Sequence, residues 1–211
     1  MTEAEFNVLS QDLRNLVVKI PLRWGAVQND RVDDDINMFE MGTFDQLESA
    51  IARLPDAEKN YLRRRWYLWK CSICDEYLFY VNPNVEKNPN QKDKEWDVRI
   101  DNAFAFDIKG TVIPREMRND IGHVLQDPAE MVDFYYDNQS TGRRFDIQNR
   151  LFIVHHSFVD NDRELYLRCA WKSKRAIYNK VLRQCLANQV YPHTWRHGGC
   201  CLHLGNRTQK G

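Results

Sequence analysis

The sequence predicts an α/β fold: a mixed central sheet flanked by helices, with an extra helical amino-terminal part. Three observations lead there. Helical periodicity dominates the chain to about residue 80, two alternating apolar segments follow over 96–110, and a helix, a strand with a continuous apolar centre and a further helix run from 128 to 186. Helices, two strands, helix, buried strand, helix is the order expected of a sheet covered by helices. The division that results is a helical extension over 1–60, a core over 61–190 and a carboxy-terminal tail over 191–211.

Composition supports a folded core. The chain has 211 residues, 43% apolar and 12% aromatic, which argues against disorder. No apolar run approaches the roughly 18 residues of a membrane span, so no membrane partner is expected. The start, MTEAEFNVLSQDL, lacks the basic, apolar and small-residue regions of a secretory signal. An intracellular, cytoplasmic protein is therefore expected, and its six cysteines are expected to be reduced thiols. With 30 basic and 30 acidic side chains, the formal charge is zero and gives no global field for nucleic acid. Local clusters exist at Arg63, Arg64 and Arg65, at Arg143 and Arg144, and at Lys172, Lys174 and Arg175. Each reads first as a solvated helix face and second as a phosphate-contacting patch.

The elements follow in order. Residues 3–19 form an amphipathic helix stopped by Pro21, and Thr43 caps a second helix reaching about Leu54. Asp33, Asp34 and Asp35 lack the alternate spacing and glycine of a calcium loop, which leaves a solvated turn. Pro55 opens a long helix to about Tyr80 with the apolar stripe Leu62, Trp66, Trp69, Ile73, Tyr77 and Tyr80. Glu76 falls inside that stripe, whereas Asp75 points nearly the opposite way. A carboxylate on an inward face is costly unless bonded or bound to a cation, so Glu76 is a site candidate, with a bond to a neighbouring tyrosine as the plain alternative. Residues 82–92, rich in Asn, Pro and Lys, read as a loop. Residues 149–159 read as a buried strand, and 163–186 as one helix.

The segment WDVRIDNAFAFDIKG, residues 96–110, carries the chemistry. A short loop at Asp101, Asn102 and Ala103 sets Ile100 opposite Phe104, Arg99 opposite Ala105, Val98 opposite Phe106 and Asp97 opposite Asp107. Alternation then sends Trp96, Val98, Ile100, Phe104, Phe106 and Ile108 to one face, the core. Asp97, Arg99, Asp107 and Lys109 take the other. Two facing carboxylates repel unless a cation lies between them or one stays protonated. Two hard oxygen ligands suit Mg²⁺, or Mn²⁺, and a lysine two residues after the second acid reaches the same space. The alternative is a solvent-facing hairpin in which Lys109 and Arg99 neutralise the acids.

An acid on one strand, then acid, any residue and lysine on the next, after a helix carrying Glu, resembles the PD-(D/E)xK nuclease superfamily, the fold of restriction endonucleases. The resemblance spans roughly residues 62–182. It implies a restriction endonuclease-like fold in which Asp97 is the first acid, Asp107 and Lys109 are the D-x-K, and Glu76 is the helix acid. By that resemblance Asp97, Asp107 and Glu76 hold Mg²⁺, and Lys109 assists the water that attacks the phosphodiester. DNA, or else RNA, is the implied partner, and a homodimer is implied if both strands are cut. The loop before the buried strand supplies Gln139, Arg143, Arg144 and Gln148 as candidate nucleic-acid contacts. His155 and His156 have no evident carboxylate partner and read as packed and exposed histidines.

Cys71 and Cys74, with His193, His197, Cys200, Cys201 and His203 downstream, form a split set with zinc-like spacing. Small buried thiols are the competing reading, because the first pair lies inside a helical pattern. The expected function is a metal-dependent endonuclease. The alternative is a non-catalytic nucleic-acid or protein-binding module on a nuclease-like scaffold, with or without structural zinc.

Overall fold

The computed structural model describes residues 1–22, 31–90, 95–126, 128–139, 149–187 and 200–206. They form two units, Met1–Cys74 and Asp75–Gly211, with the boundary inside one long helix.

The first unit is helical. α1 (Glu3–Val17) begins at a capping box in which Glu5 N–H donates to Thr2 Oγ1 and Thr2 N–H donates to Glu5 Oε2 at 2.7 Å. This satisfies two amide donors that a helix start leaves open. α2 (Val32–Asp35) is one turn, and α3 (Phe44–Ile51) starts at a second capping box between Thr43 and Gln46. α4 (Asp56–Tyr80) opens just after Pro55, as the sequence predicts. Apolar faces of these helices are buried through Leu13, Leu16, Leu47, Ile51, Leu62 and Trp66. The triple-aspartate segment is not a plain solvated turn. Asp33 accepts from Tyr61 Oη at 2.7 Å and pairs with Arg65. Nor are the three arginines an open basic patch: Arg63 grips Glu48 through two bonds and Arg64 donates to the Pro21 carbonyl.

No residue of α4 between 61 and 80 is exposed. The covered side of α4 runs through Tyr67, Cys71, Cys74, Asp75 and Leu78, whereas Arg65, Trp69, Ser72, Glu76 and Tyr80 form a partly buried stripe, so the predicted outward turn of Asp75 does not occur. Asp75 is 2% exposed and accepts from Lys174 Nζ at 2.8 Å and Tyr178 Oη at 2.9 Å.

The second unit holds a mixed five-stranded sheet of order β1-β2-β3-β4-β5. Its strands are β1 (Val85–Lys87), β2 (Val98–Ile100), β3 (Phe104–Val112), β4 (Arg150–Ser157) and β5 (Cys200–Asn206). β1, β2 and β3 pair antiparallel, whereas β4 and β5 are each parallel to the preceding strand. β1 lies inside the predicted loop 82–92, where Val85 pairs with Ile100. β5 comes from the predicted tail. Between β3 and β4 run α5 (Ile121–Gln126) and α6 (Ala129–Gln139). After β4 the predicted single helix is two: α7 (Glu164–Leu167) and α8 (Trp171–Leu186). Tight bonds from Arg168 N–H to Leu165 O and from Cys169 N–H to Tyr166 O end α7 before α8 starts.

The hairpin has the predicted register, Val98 with Phe106, Arg99 with Ala105 and Ile100 with Phe104. Asp101 and Asn102 take φ of 51° and 55°, and Ala103 N–H closes the turn on Ile100 O at 3.0 Å. Two left-handed residues give the turn a twist that matches its strands. One sheet face buries Val98, Ile100, Phe106, Ile108, Leu151 and Ile153. On the other, α6 lays Met131, Tyr135 and Tyr136 over Phe152 and Val154. That second layer changes the setting of the acids on this face, which the sequence places in solvent.

Candidate active site

Four predicted residues come together around the start of the β2–β3 ladder. Continuing the register one residue past Val98 sets Asp97 opposite Asp107, and Asp97 N–H donates to Phe106 O at 2.7 Å. The Asp97 carboxylate turns onto the neighbouring strand, where its Oδ2 accepts from Ile108 N–H at 2.7 Å. β2 begins at Val98, so this carboxylate supplies an acceptor where the ladder has ended. The strand edge thereby fixes the side chain.

Asp107 sits deeper than the sequence suggests, with its side chain 3% exposed. Lys109 Nζ lies 3.0 Å from Oδ1 and Arg150 Nε 3.3 Å from Oδ2. Arg150 is Asp107's registered neighbour on β4, its guanidinium lies over the Tyr136 ring at 5.5 Å, and its N–H donates to Tyr136 Oη at 3.1 Å. Burial raises the Tyr136 hydroxyl above its usual range. The cover of α6 therefore makes Asp107 a buried, doubly ion-paired acid. Lys109 remains partly open at 36%.

Glu76, from the last turns of α4, completes the group. Burial first, and then the charge of Asp97, push its carboxyl from 4.5 up to about 7, against the partial opposition of Lys87 and Lys109. Lys87 Nζ stands 3.8 Å from Oε2 and 5.3 Å from the centre of the Tyr80 ring. The site thus holds three carboxylates, Glu76, Asp97 and Asp107, among three cations, Lys87, Lys109 and Arg150.

Sequence reasoning missed Lys87 and the pairing of Arg150 with Asp107. Each reaches the site through a strand pairing, β1 on β2 and β4 on β3, with no local spacing signal. Of the predicted nucleic-acid contacts, Arg143, Arg144, Gln148 and the side chain of Gln139 lie outside the described residues. So do His193, His197 and the side chains of Cys200, Cys201 and His203. Cys71, Cys74, Cys169 and Cys185 are buried.

The three carboxylates are hard oxygen donors, with both oxygens of Asp107 facing cations of the protein. Three carboxylates are the ligand type Mg²⁺ takes, and the conflict between Glu76 and Asp97 is of the kind a divalent ion relieves. Among the described residues no three acid, histidine or cysteine side chains form a ready metal cage.

The expectation that His156 lacks a carboxylate is overturned. Its Nδ1 lies 3.4 Å from Glu164, which also receives two 2.8 Å bonds from Arg118. His155 is buried on the opposite face, with Nδ1 3.0 Å from Thr111 O. Burial, then the nearby charges of Lys174 and Arg168, hold its imidazole well below the usual range. Among the described residues no helix is long and apolar enough to cross a membrane. No family model, curated protein or solved structure matches the chain.

Proposed function

We propose that the protein is a Mg²⁺-dependent endonuclease of restriction endonuclease-like fold, hydrolysing phosphodiester bonds in DNA or, failing that, RNA. The observation that carries this reading is the β2–β3 register, which sets Asp97 opposite Asp107 with Lys109 3.0 Å from the second acid and Glu76 in the same electrostatic field. The strand order supports it: an antiparallel run β1, β2, β3 followed by parallel β4 accommodates the motif order that resembles the PD-(D/E)xK superfamily.

Asp97, Asp107 and Glu76 would hold the ion, Mg²⁺ or Mn²⁺. When bound, the ion supplies Lewis-acid stabilisation of charge developing on phosphoryl oxygens. The protein's own groups do the remainder. Arg150 Nε lies 3.3 Å from Oδ2 of Asp107 and attracts it by charge, which makes it a positioning residue. Lys109, the more exposed of the two cations, has the freedom to leave Oδ1, donate to a phosphate oxygen and orient the attacking water. Burial and the charge of Asp97 raise the Glu76 carboxyl to about 7, and a bound cation would hold it ionised as a ligand.

A second reading is a non-catalytic nucleic-acid or protein-binding module. The observation in its favour is that both Asp107 oxygens face cations, as in a structural ion pair. Cleavage of plasmid and single-stranded DNA with Mg²⁺ or Mn²⁺ separates the two. Metal-dependent cutting by the wild type, lost in Lys109→Ala and Asp107→Asn with folding intact, supports the enzyme. Cutting that survives Lys109→Ala sinks the assignment. Absence of both cutting and a calorimetric Mg²⁺ signal, with nucleic-acid binding retained, selects the module. Metal analysis of protein purified without added metal decides structural zinc, and sedimentation on DNA decides whether two copies act together.

A further inference from the structure

The helical unit Met1–Cys74 carries a cleft of about 590 Å³ that the nuclease reading does not use. Its walls are mainly apolar, with Ala4, Val8 and Leu9 from α1 and Ile73 from α4. Lys70, one turn before Ile73, lines the same space and is 7% exposed. Ligand sites commonly have this make-up, an apolar cleft of a few hundred Å³ with very few charged groups.

The surroundings of Lys70 are unusual. No hydrogen bond or ion pair to it is found among the described residues, and its ammonium lies against two aromatic faces, Trp69 at 4.1 Å and Trp66 at 5.3 Å from the ring centres, with the Cys74 thiol as a further electrostatic neighbour. Trp66, Trp69, Lys70 and Ile73 are spaced three or four residues apart and share one helix face. Both rings are held from behind: Trp66 donates to Met41 O at 2.9 Å, and Phe39 packs edge-on against Trp69 at 5.1 Å. Burial disfavours the charged amine, so its ionisation is shifted down, and aromatic faces offset only part of that cost. A bound anion would offset the rest.

Two acids also line the cleft, and neither pairs with Lys70. Glu5 is committed to the α1 capping box. Burial, and then the charge of Asp45, raise the Asp12 carboxyl above its usual range.

We propose that this cleft binds a small amphipathic carboxylate, with the anionic group on Lys70 and the apolar chain or ring along Val8, Leu9 and Ile73. The ammonium gives charge recognition, and the apolar wall selects against small hydrophilic anions such as acetate.

Titration of the full chain with decanoate, with decanol as the uncharged counterpart, tests this by calorimetry and tryptophan fluorescence. Saturable binding of one decanoate per chain is expected, about tenfold or more tighter than decanol. Lys70→Met keeps the apolar stem and removes a buried charge, so it should fold with an unreduced thermal midpoint. It should also bind decanoate no better than decanol. Lys70→Arg should keep the preference. Equal binding of the two ligands by the wild type, unchanged decanoate binding in Lys70→Met, or absence of saturable binding overturns the proposal. So does a concentration-dependent dimer that Val8→Glu dissociates in a protein that ignores decanoate, which would assign the cleft to a second copy.

Discussion

Glu76→Gln should stabilise the protein, and by an amount that depends on pH. Folding raises the carboxyl from 4.5 to about 7, and burial is the larger cause, with the side chain only 17% exposed. The folded state therefore binds this proton more tightly than the unfolded state. Below about pH 4.5 both states hold it and there is no penalty. Between that value and pH 7 stability falls as the unfolded chain alone releases the proton, and above pH 7 the loss is complete. At about 1.4 kcal/mol per unit, the full shift is worth about 3 kcal/mol. Glutamine has nearly the same shape and no proton to lose. Urea unfolding of both proteins should show a gap under about 1 kcal/mol at pH 5 that widens to about 3 kcal/mol at pH 8. Adding 10 mM Mg²⁺ at pH 8 should narrow the gap, because an ion held by the wild-type carboxylates stabilises only that protein. A gap that stays flat from pH 5 to 8 would refute the argument, as would a glutamine variant weaker at pH 8, since either means Glu76 is not carrying an unrelieved charge.

Other outcomes follow from the same geometry. Lys174→Met strands Asp75 in the interior and should cost about 3–5 kcal/mol in urea unfolding, while the double variant with Asp75→Asn should recover most of it; equal losses would place the energy elsewhere. Burial raises the Glu164 carboxyl, but its bonds to His156 and Arg118 outweigh that and leave it below 4.5, so its stabilisation exists above that value and fades as pH falls beneath it. Arg118→Met should therefore lower the thermal midpoint more at pH 7 than at pH 3.5, and an equal drop at both would be contrary. Asn102→Gly suits a φ of 55° and should raise stability by about 0.5–1 kcal/mol, read as a higher thermal midpoint; a lower one would mean the Asn102 side chain holds the turn.

Much of the site was legible because it is local. Asp97, Asp107 and Lys109 lie within thirteen residues, and a period-two pattern with one short loop fixes which of them share a face. Glu76 was visible as a charge within an apolar helical stripe. Asp75 was misjudged for a related reason: a helical wheel ranks faces by composition, and cannot tell that the face opposite the stripe is also covered. Lys174, read as part of a solvated basic cluster, is 0% exposed because its partner lies 99 residues earlier.

The sequence by itself determined the helix starts, where Thr2 and Thr43 cap their own amides, the hairpin register, and the identity of the acids and lysine at its open end. These depend on neighbours in the chain, within reach of periodicity and capping. Only the tertiary structure decided how the site is charged. Parallel pairing brings Arg150 beside Asp107, the edge strand brings Lys87 to Glu76, and α6 closes over Phe152 and Val154 with Tyr135 and Tyr136. Those partners are 43 residues from Asp107 and 11 from Glu76. Burial and long-range pairing set whether a carboxylate is a solvated charge, an ion pair or a proton holder, because the free energy of a charge depends on its surroundings in space and not on its place in the chain.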